Sequence, residues 1–214
     1  MKLNTNPEIP KTLILDFGNV LTENQNKNAY HSLLQQLGVK PQEFFPAWSS
    51  HRLDYDKGLL DTQQYWAKVL SDLSVPQAMD LAAQNWEHYL ETDIASFNYP
   101  REELASLTRE CIDAGIKTAI LSNMPPKVGI LWDQLWPWLE TIPVRIWSGD
   151  VGMIKPHPDI YLLAEEKTGS QPEDILFVDD LSANIAGAAQ RGWRTLHFID
   201  APQGIREIRT WAFS

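Results

Sequence analysis

The 214-residue chain is 43% hydrophobic and 21% charged, which suits one soluble α/β core with or without a small inserted domain. Its formal charge of −10 and pI near 4.9 leave no Lys/Arg-rich stripe to neutralise phosphates, so nucleic acid and an anionic membrane surface are excluded as partners. The polar first ten residues lack the apolar run of a signal peptide and no stretch approaches the ~18 apolar residues of a membrane span, so the expected location is cytoplasmic.

In chain order, the first apolar run is TLIL (12–15), with the length and β-branched content of a buried strand. From about residue 25 to 92 only helical patterns follow, over 28–37, 41–50, 61–73 and 76–91. Gly38 stands after the first, Pro41 and Pro76 occupy first-turn positions, and Asp61 is placed as an N-cap. Strand and helix then alternate. Strands are expected at 117–121, 144–147, 174–178 and, more weakly, 194–199, with helices at 101–115, 126–139, 158–169 and 182–193. Gly115 and Gly169 stand where a helix end needs a left-handed residue. Cys111, the single cysteine, reads as a small buried hydrophobe and permits no intrachain disulfide. The fold class is therefore α/β: a Rossmann-like three-layer parallel-sheet core from residues 11–24 and 93–214, with a helical cap of residues 25–92 inserted after the first strand.

Ligands of an open parallel sheet bind beyond the carboxyl ends of its strands. The first run ends in Asp16-Phe17-Gly18-Asn19-Val20 and the second in Ser122-Asn123. The third leads to Lys155-Pro156, and the fourth ends in Asp179-Asp180. Singly these have ordinary readings: a strand-end Asp or Ser caps a helix, and a lone Lys is solvated. Two adjacent aspartates are stronger, since like charges disfavour each other unless a cation binds. Four such groups, each after a different strand, share one sheet edge. A carboxylate such as Asp16 can attack phosphorus. Asp16 and Asp180 can hold Mg2+, which takes one or two carboxylates plus substrate phosphate, while Lys155 and Ser122 can bind phosphoryl oxygens.

This order of motifs resembles the haloacid dehalogenase-like (HAD) superfamily over essentially the whole chain. Asp16 matches the nucleophile of the first motif, Ser122 in Leu121-Ser122-Asn123 the second, Lys155 in Gly152-Met153-Ile154-Lys155-Pro156 the third, and Asp179-Asp180 the fourth. The block at 25–92 resembles the family's helical cap. The loop around Gly58 resembles the cap segment that reaches the substrate, which makes Arg52, Tyr55 and Lys57 candidate specificity residues. The resemblance implies a magnesium-dependent phosphatase working through an aspartyl-phosphate. Asp16, the Gly18 carbonyl, Asp179 and Asp180 would lie at the metal, with Ser122, Asn123 and Lys155 on the phosphate. The small-molecule phosphorylated substrate would be hydrolysed by a monomer or homodimer.

Gly18 departs from the pattern, because phosphatases of this family usually carry a general acid and base there. The Asp-x-Gly-Asn-Val motif is similar to that of a branch that includes glucose 1-phosphate phosphatases, whose leaving group needs less protonation. Two alternatives stay open: a carbon–phosphorus hydrolase using a cap lysine (Lys27, Lys40, Lys57 or Lys68), or a protein that binds a phosphorylated ligand without turnover. Among other features, Trp132 and Trp136 share a helical face and read as core or subunit contact, with a sugar-stacking platform as the alternative. His157 reads as a helix cap, Asn184 as a group orienting the Asp180 loop, and Asp150 as shaping the turn toward Lys155.

Overall fold

The computed structural model describes residues 11–214; the segment 1–10, read above as lacking a signal peptide, lies outside the described residues. The strands are β1 (Thr12–Leu15), β2 (Lys117–Ser122), β3 (Val144–Trp147), β4 (Ile175–Asp179) and β5 (Arg194–His197). They form one all-parallel sheet in the order β3-β2-β1-β4-β5. Period-two alternation divides each strand between two faces. Leu13, Leu15, Ile120 and Val178 enter one apolar cluster, whereas Ile14, Leu121, Ile146 and Phe177 enter the other.

Helices α1 (His31–Leu37), α2 (Pro41–Ser50), α3 (Arg52–Asp56), α4 (Thr62–Asp72) and α5 (Ala78–Phe97) lie between β1 and β2, so the insertion is helical. They enclose a separate core around Tyr30, Phe44, Tyr55, Tyr65, Trp66 and Tyr89. Asp61 caps α4 by accepting from the Gln64 N–H at 2.8 Å. The sheet is covered by α6 (Glu102–Asp113), α7 (Val128–Leu135), α8 (Ser148–Val151), α9 (Pro158–Thr168), α10 (Ser182–Gln190) and α11 (Ala201–Ala212). Among the described residues no helix is long and apolar enough to cross a membrane.

Several expected limits move for identifiable reasons. The helix expected over 126–139 ends at Leu135, because Pro137 supplies no N–H and starts a separate short turn, Pro137–Thr141. Pro76 is not in a first turn: Gln77 takes a left-handed φ of 56° and α5 begins at Ala78. The same helix continues to Phe97, past residue 92. The segment 52–56, expected as a loop, is the helical turn α3. The C-terminal α11 had no counterpart in the sequence reading, although Asp200 caps it by accepting from the Gln203 N–H at 2.8 Å.

Candidate active site

The parallel register brings four strand ends to one edge. Asp16 follows β1, Ser122 closes β2, and Asp179 closes β4. Lys155, from the loop after α8, is 2% exposed and lies between two carboxylates, 3.0 Å from Asp16 Oδ1 and 2.7 Å from Asp179 Oδ2. Its backbone is held by one side chain: Asn123 Oδ1 accepts from the Lys155 N–H at 2.9 Å and Asn123 Nδ2 donates to the Lys155 carbonyl at 3.0 Å. That use of the Asn123 amide leaves its backbone as the part free to meet a ligand.

After Asp16 the chain makes one wide turn, Phe17–Leu21, in which Asn19 takes a φ of 59°, a conformation asparagine tolerates better than most residues. Asn19 Nδ2 then donates to Asp180 Oδ2 at 2.9 Å, joining the loop after β1 to the loop after β4. Arg101 secures this turn from behind, donating to the Val20 carbonyl at 3.1 Å and pairing with Glu23 at 2.8 Å. Asn184 Nδ2 donates to both Asp179 oxygens, at 3.0 and 3.1 Å, so it orients the aspartate pair as expected. Asp150 does otherwise: its Oδ1 accepts from the Lys127 N–H at 2.7 Å and ties down the loop after β2, not the turn toward Lys155. His157 caps α9.

Asp16, Asp179 and Asp180 each offer a carboxylate oxygen, all within 4.8 Å of one another. One lysine faces these three carboxylates, so the cluster is short of positive charge. Burial pushes the Asp16 carboxyl up to about 7, with Asp179 and Asp180 repelling its charge and Lys155 opposing the rise. Burial likewise raises Asp180. Burial works against the charge on Lys155, but Asp16 and Asp179 outweigh it and hold the amine protonated above its usual value. The donor set is all hard oxygen and lacks a divalent charge, which fits Mg2+. The Phe17 N–H and Lys155 both engage Asp16 Oδ1, and among the described residues no donor reaches Oδ2. Gly18 takes an ordinary extended conformation, and a Cβ there would meet nothing within 4 Å.

A small cleft opens beside Gly18, Ser122 and Asn123. Arg52 lines it, but Tyr55 and Lys57 do not. Tyr55 is buried in the cap core, stacked on Tyr65 with centroids 4.3 Å apart. Lys57 follows the last turn of α3. Arg52 donates to Asp56 at 2.8 Å and to Asp93 at 2.7 Å, and lies over the Trp48 ring. Asp93 Oδ1 also accepts from Tyr30 and, at 3.0 Å, from Trp48 Nε1. Asp93 and the cleft-lining Phe97 were missed, since both lie beyond residue 92, between the expected helices 76–91 and 101–115, where the structure continues α5 to Phe97. Trp132 and Trp136 are buried and pack on Phe17 with centroids 4.9 and 5.1 Å away, so they are core. Cap and core meet where Ser148 donates to the Asp56 carbonyl and Gly58 lies so close to Gly149 that a Cβ would come within 2.5 Å of its carbonyl.

The fold and site thus define an α/β protein with a helical insertion after its first strand and an acidic centre of three aspartates around a buried lysine. The family model for haloacid dehalogenase-like hydrolases matches residues 10–192, and the chain belongs to that family. A predicted HAD-like hydrolase from Porphyromonas gingivalis superposes with a TM-score of 0.72 at 20% identity, covering 96% of this chain and 99% of that one. A HAD family enzyme from Bacteroides thetaiotaomicron, solved with magnesium and inorganic phosphate, gives 0.64 at 21% identity, covering 87% and 93%. Dehalogenases are further fold neighbours, at 17% and 19% identity. Bifunctional epoxide hydrolase 2 of Rattus norvegicus is 28% identical over 117 residues, which are 53% of this chain. The matched part spans only 21% of that relative's length.

Proposed function

We propose that the protein is a magnesium-dependent phosphatase acting on a small phosphorylated metabolite through an aspartyl-phosphate on Asp16. The observation that carries this reading is the trio Asp16, Asp179 and Asp180 facing a single lysine, an arrangement with too little positive charge for its carboxylates. Asp16, the Gly18 carbonyl and Asp180 would hold the ion. Asp179, already engaged by Lys155, Asn184 and the Leu181 N–H at 2.8 Å, would set their positions. Bound there, the ion would supply charge neutralisation between the carboxylates and an incoming phosphate. In the proposed reaction Asp16 Oδ2 attacks phosphorus, while Ser122, the Asn123 backbone and Lys155 bind the phosphoryl oxygens. The cap excludes bulk water, and a water then hydrolyses the acyl phosphate. The first motif adds the sugar-phosphate expectation, with a leaving group that departs without help from residue 18.

The Bacteroides neighbour with magnesium and phosphate supports phosphate chemistry on this fold. Dehalogenase chemistry suits the site less well, because the resemblance to dehalogenases fails at Asp179-Asp180. A carbon–phosphorus hydrolase needs a cap lysine in the cleft, and Lys27, Lys40, Lys57 and Lys68 do not line it. The test is phosphate release from a panel of phosphomonoesters with and without magnesium, beside Asp16→Asn. Metal-dependent release that falls by at least about 10³-fold in the variant is the expected result. A folded protein that binds magnesium and releases no phosphate would leave the ligand-binding reading in its place.

A further inference from the structure

Most of the cleft wall beside Ser122 and Asn123 is apolar, formed by Phe17, Ile94, Phe97, Met124, Val128 and Trp132. Its polar lining divides into two groups. Gly18, Ser122 and Asn123 lie at the strand ends, where the proposed phosphate binds. On the cap side are Arg52 and Asp93, and their charges are already committed. Arg52 is shared between Asp56 and Asp93, and Asp93 also accepts from Tyr30 and Trp48. One cation against two carboxylates offers no attraction to a second anionic group on a ligand and repels it at short range. A polyol fares poorly as well. Each hydroxyl moved from water onto Phe97, Ile94 or Val128 loses its hydrogen bonds without replacement.

One wall residue keeps an unused polar atom. The Trp132 indole nitrogen is buried and has no hydrogen-bond partner among the described residues. That atom is out of reach of anything the size of a water, so it offers a ligand no donor and the wall around Trp132 stays apolar. The enclosed part of the cleft is small, about 60 Å³ and well below the usual range for ligand pockets, so the group it takes must be compact.

We propose that the site selects phosphomonoesters whose alcohol is uncharged, compact and mainly apolar, such as an aromatic ring or short branched chain. This rests on the phosphatase reading and narrows it, away from the polyhydroxylated sugar phosphates that the first motif suggests and away from bisphosphates.

The experiment compares benzyl phosphate, methyl phosphate, glucose 1-phosphate and fructose 1,6-bisphosphate. Benzyl and methyl esters have leaving groups of similar basicity, so their ratio reports the cleft and not the chemistry. Two readouts are taken: kcat/KM for phosphate release with magnesium, and calorimetric binding to Asp16→Asn. Benzyl phosphate should exceed methyl phosphate by about tenfold or more in both, from the apolar area the ring buries. The bisphosphate should rank last. Phe97→Ala should lower the benzyl-to-methyl ratio several-fold, and Phe97→Leu should restore most of it. Preference for glucose 1-phosphate or the bisphosphate, or a ratio near one, would overturn the inference while leaving the phosphatase standing. No turnover of any ester, with benzyl phosphate still bound tenfold more tightly than methyl phosphate, would sink the phosphatase reading and support the cleft's selectivity. Absence of both turnover and discrimination would end both.

Discussion

Two buried clusters in this molecule have the same composition at their centre and opposite prospects. In the core, Lys155 lies between Asp16 and Asp179; in the cap, Arg52 lies between Asp56 and Asp93. The cap cluster also has one carboxylate more than its cation, but it is better supplied with donors. Tyr30 and Trp48 add donors to Asp93, and aromatic rings enclose the guanidinium. The core cluster is unfinished, because Asp180 adds a third carboxylate and one oxygen of Asp16 meets no donor. Buried charge spread over several neutral donors holds a shape, whereas three carboxylates around one lysine are poised to take up a cation or attack an electrophile.

The largest effect expected from breaking this contrast is in the cap. Asp93→Ala strips the partner from Arg52 Nη1 and orphans the Tyr30 hydroxyl and Trp48 indole. It should lower the unfolding free energy by about 3–5 kcal/mol in chemical denaturation. A loss under 1 kcal/mol would mean the cluster is ornamental.

Next comes pH. Burial raises the Asp56 carboxyl to about 6, with Asp93 adding to the rise and Arg52 opposing it. Its value in an unfolded chain is lower, at about 4. Folding therefore takes up a proton between those values, and this contribution to stability is complete below about pH 4 and lost as pH rises through 6. The loss amounts to about 3 kcal/mol. Asp16 and Asp180 shift in the same direction, so the measurement is the difference between wild type and Asp56→Asn from pH 4 to 7. A pH-independent difference would remove Asp56 as its source.

The third prediction concerns the open space at position 18. Gly18→Asp meets no steric obstacle and restores an acid and base beside Asp16. On methyl phosphate, whose leaving group needs a proton, turnover should rise by about 10²-fold, and on 4-nitrophenyl phosphate it should barely change. Equal effects on both esters would show that protonation of the leaving group is not what the glycine forgoes.

The smallest effect is magnesium itself. At ten times its dissociation constant the ion should raise wild-type stability by about 1.4 kcal/mol, visible as a thermal shift. The shift should vanish in Asp180→Asn and persist in Asp56→Asn, since among the described residues it is the core cluster that brings three carboxylates together.

How legible these features were depends on how local their physics is. Four strands stand out as short apolar runs and the fifth more weakly, and each strand-end group could be read because a parallel sheet gathers its carboxyl edges by topology alone. Arg52 was reachable as a candidate by position near the cap loop. Asp93 and Phe97 were not, because they lie between the expected helices, and neither was Arg101, whose partners Val20 and Glu23 are remote in sequence. Tyr55 shows the reverse. Its place beside that loop suggested contact with substrate, yet packing on Tyr65 draws it fully into the cap core.

What the sequence determined by itself is therefore the alternation of strand and helix, the helical insertion after the first strand, and the set Asp16, Ser122, Lys155, Asp179 and Asp180. Those follow from periodicity and chain order, which act within a few residues. Only the tertiary structure decided which charges are matched and which are left wanting, that Arg52 is neutralised by residues four and forty-one positions away, and that the cleft wall is apolar. These depend on distances between segments remote in sequence, and the same side chains acquire opposite roles according to what packing places beside them.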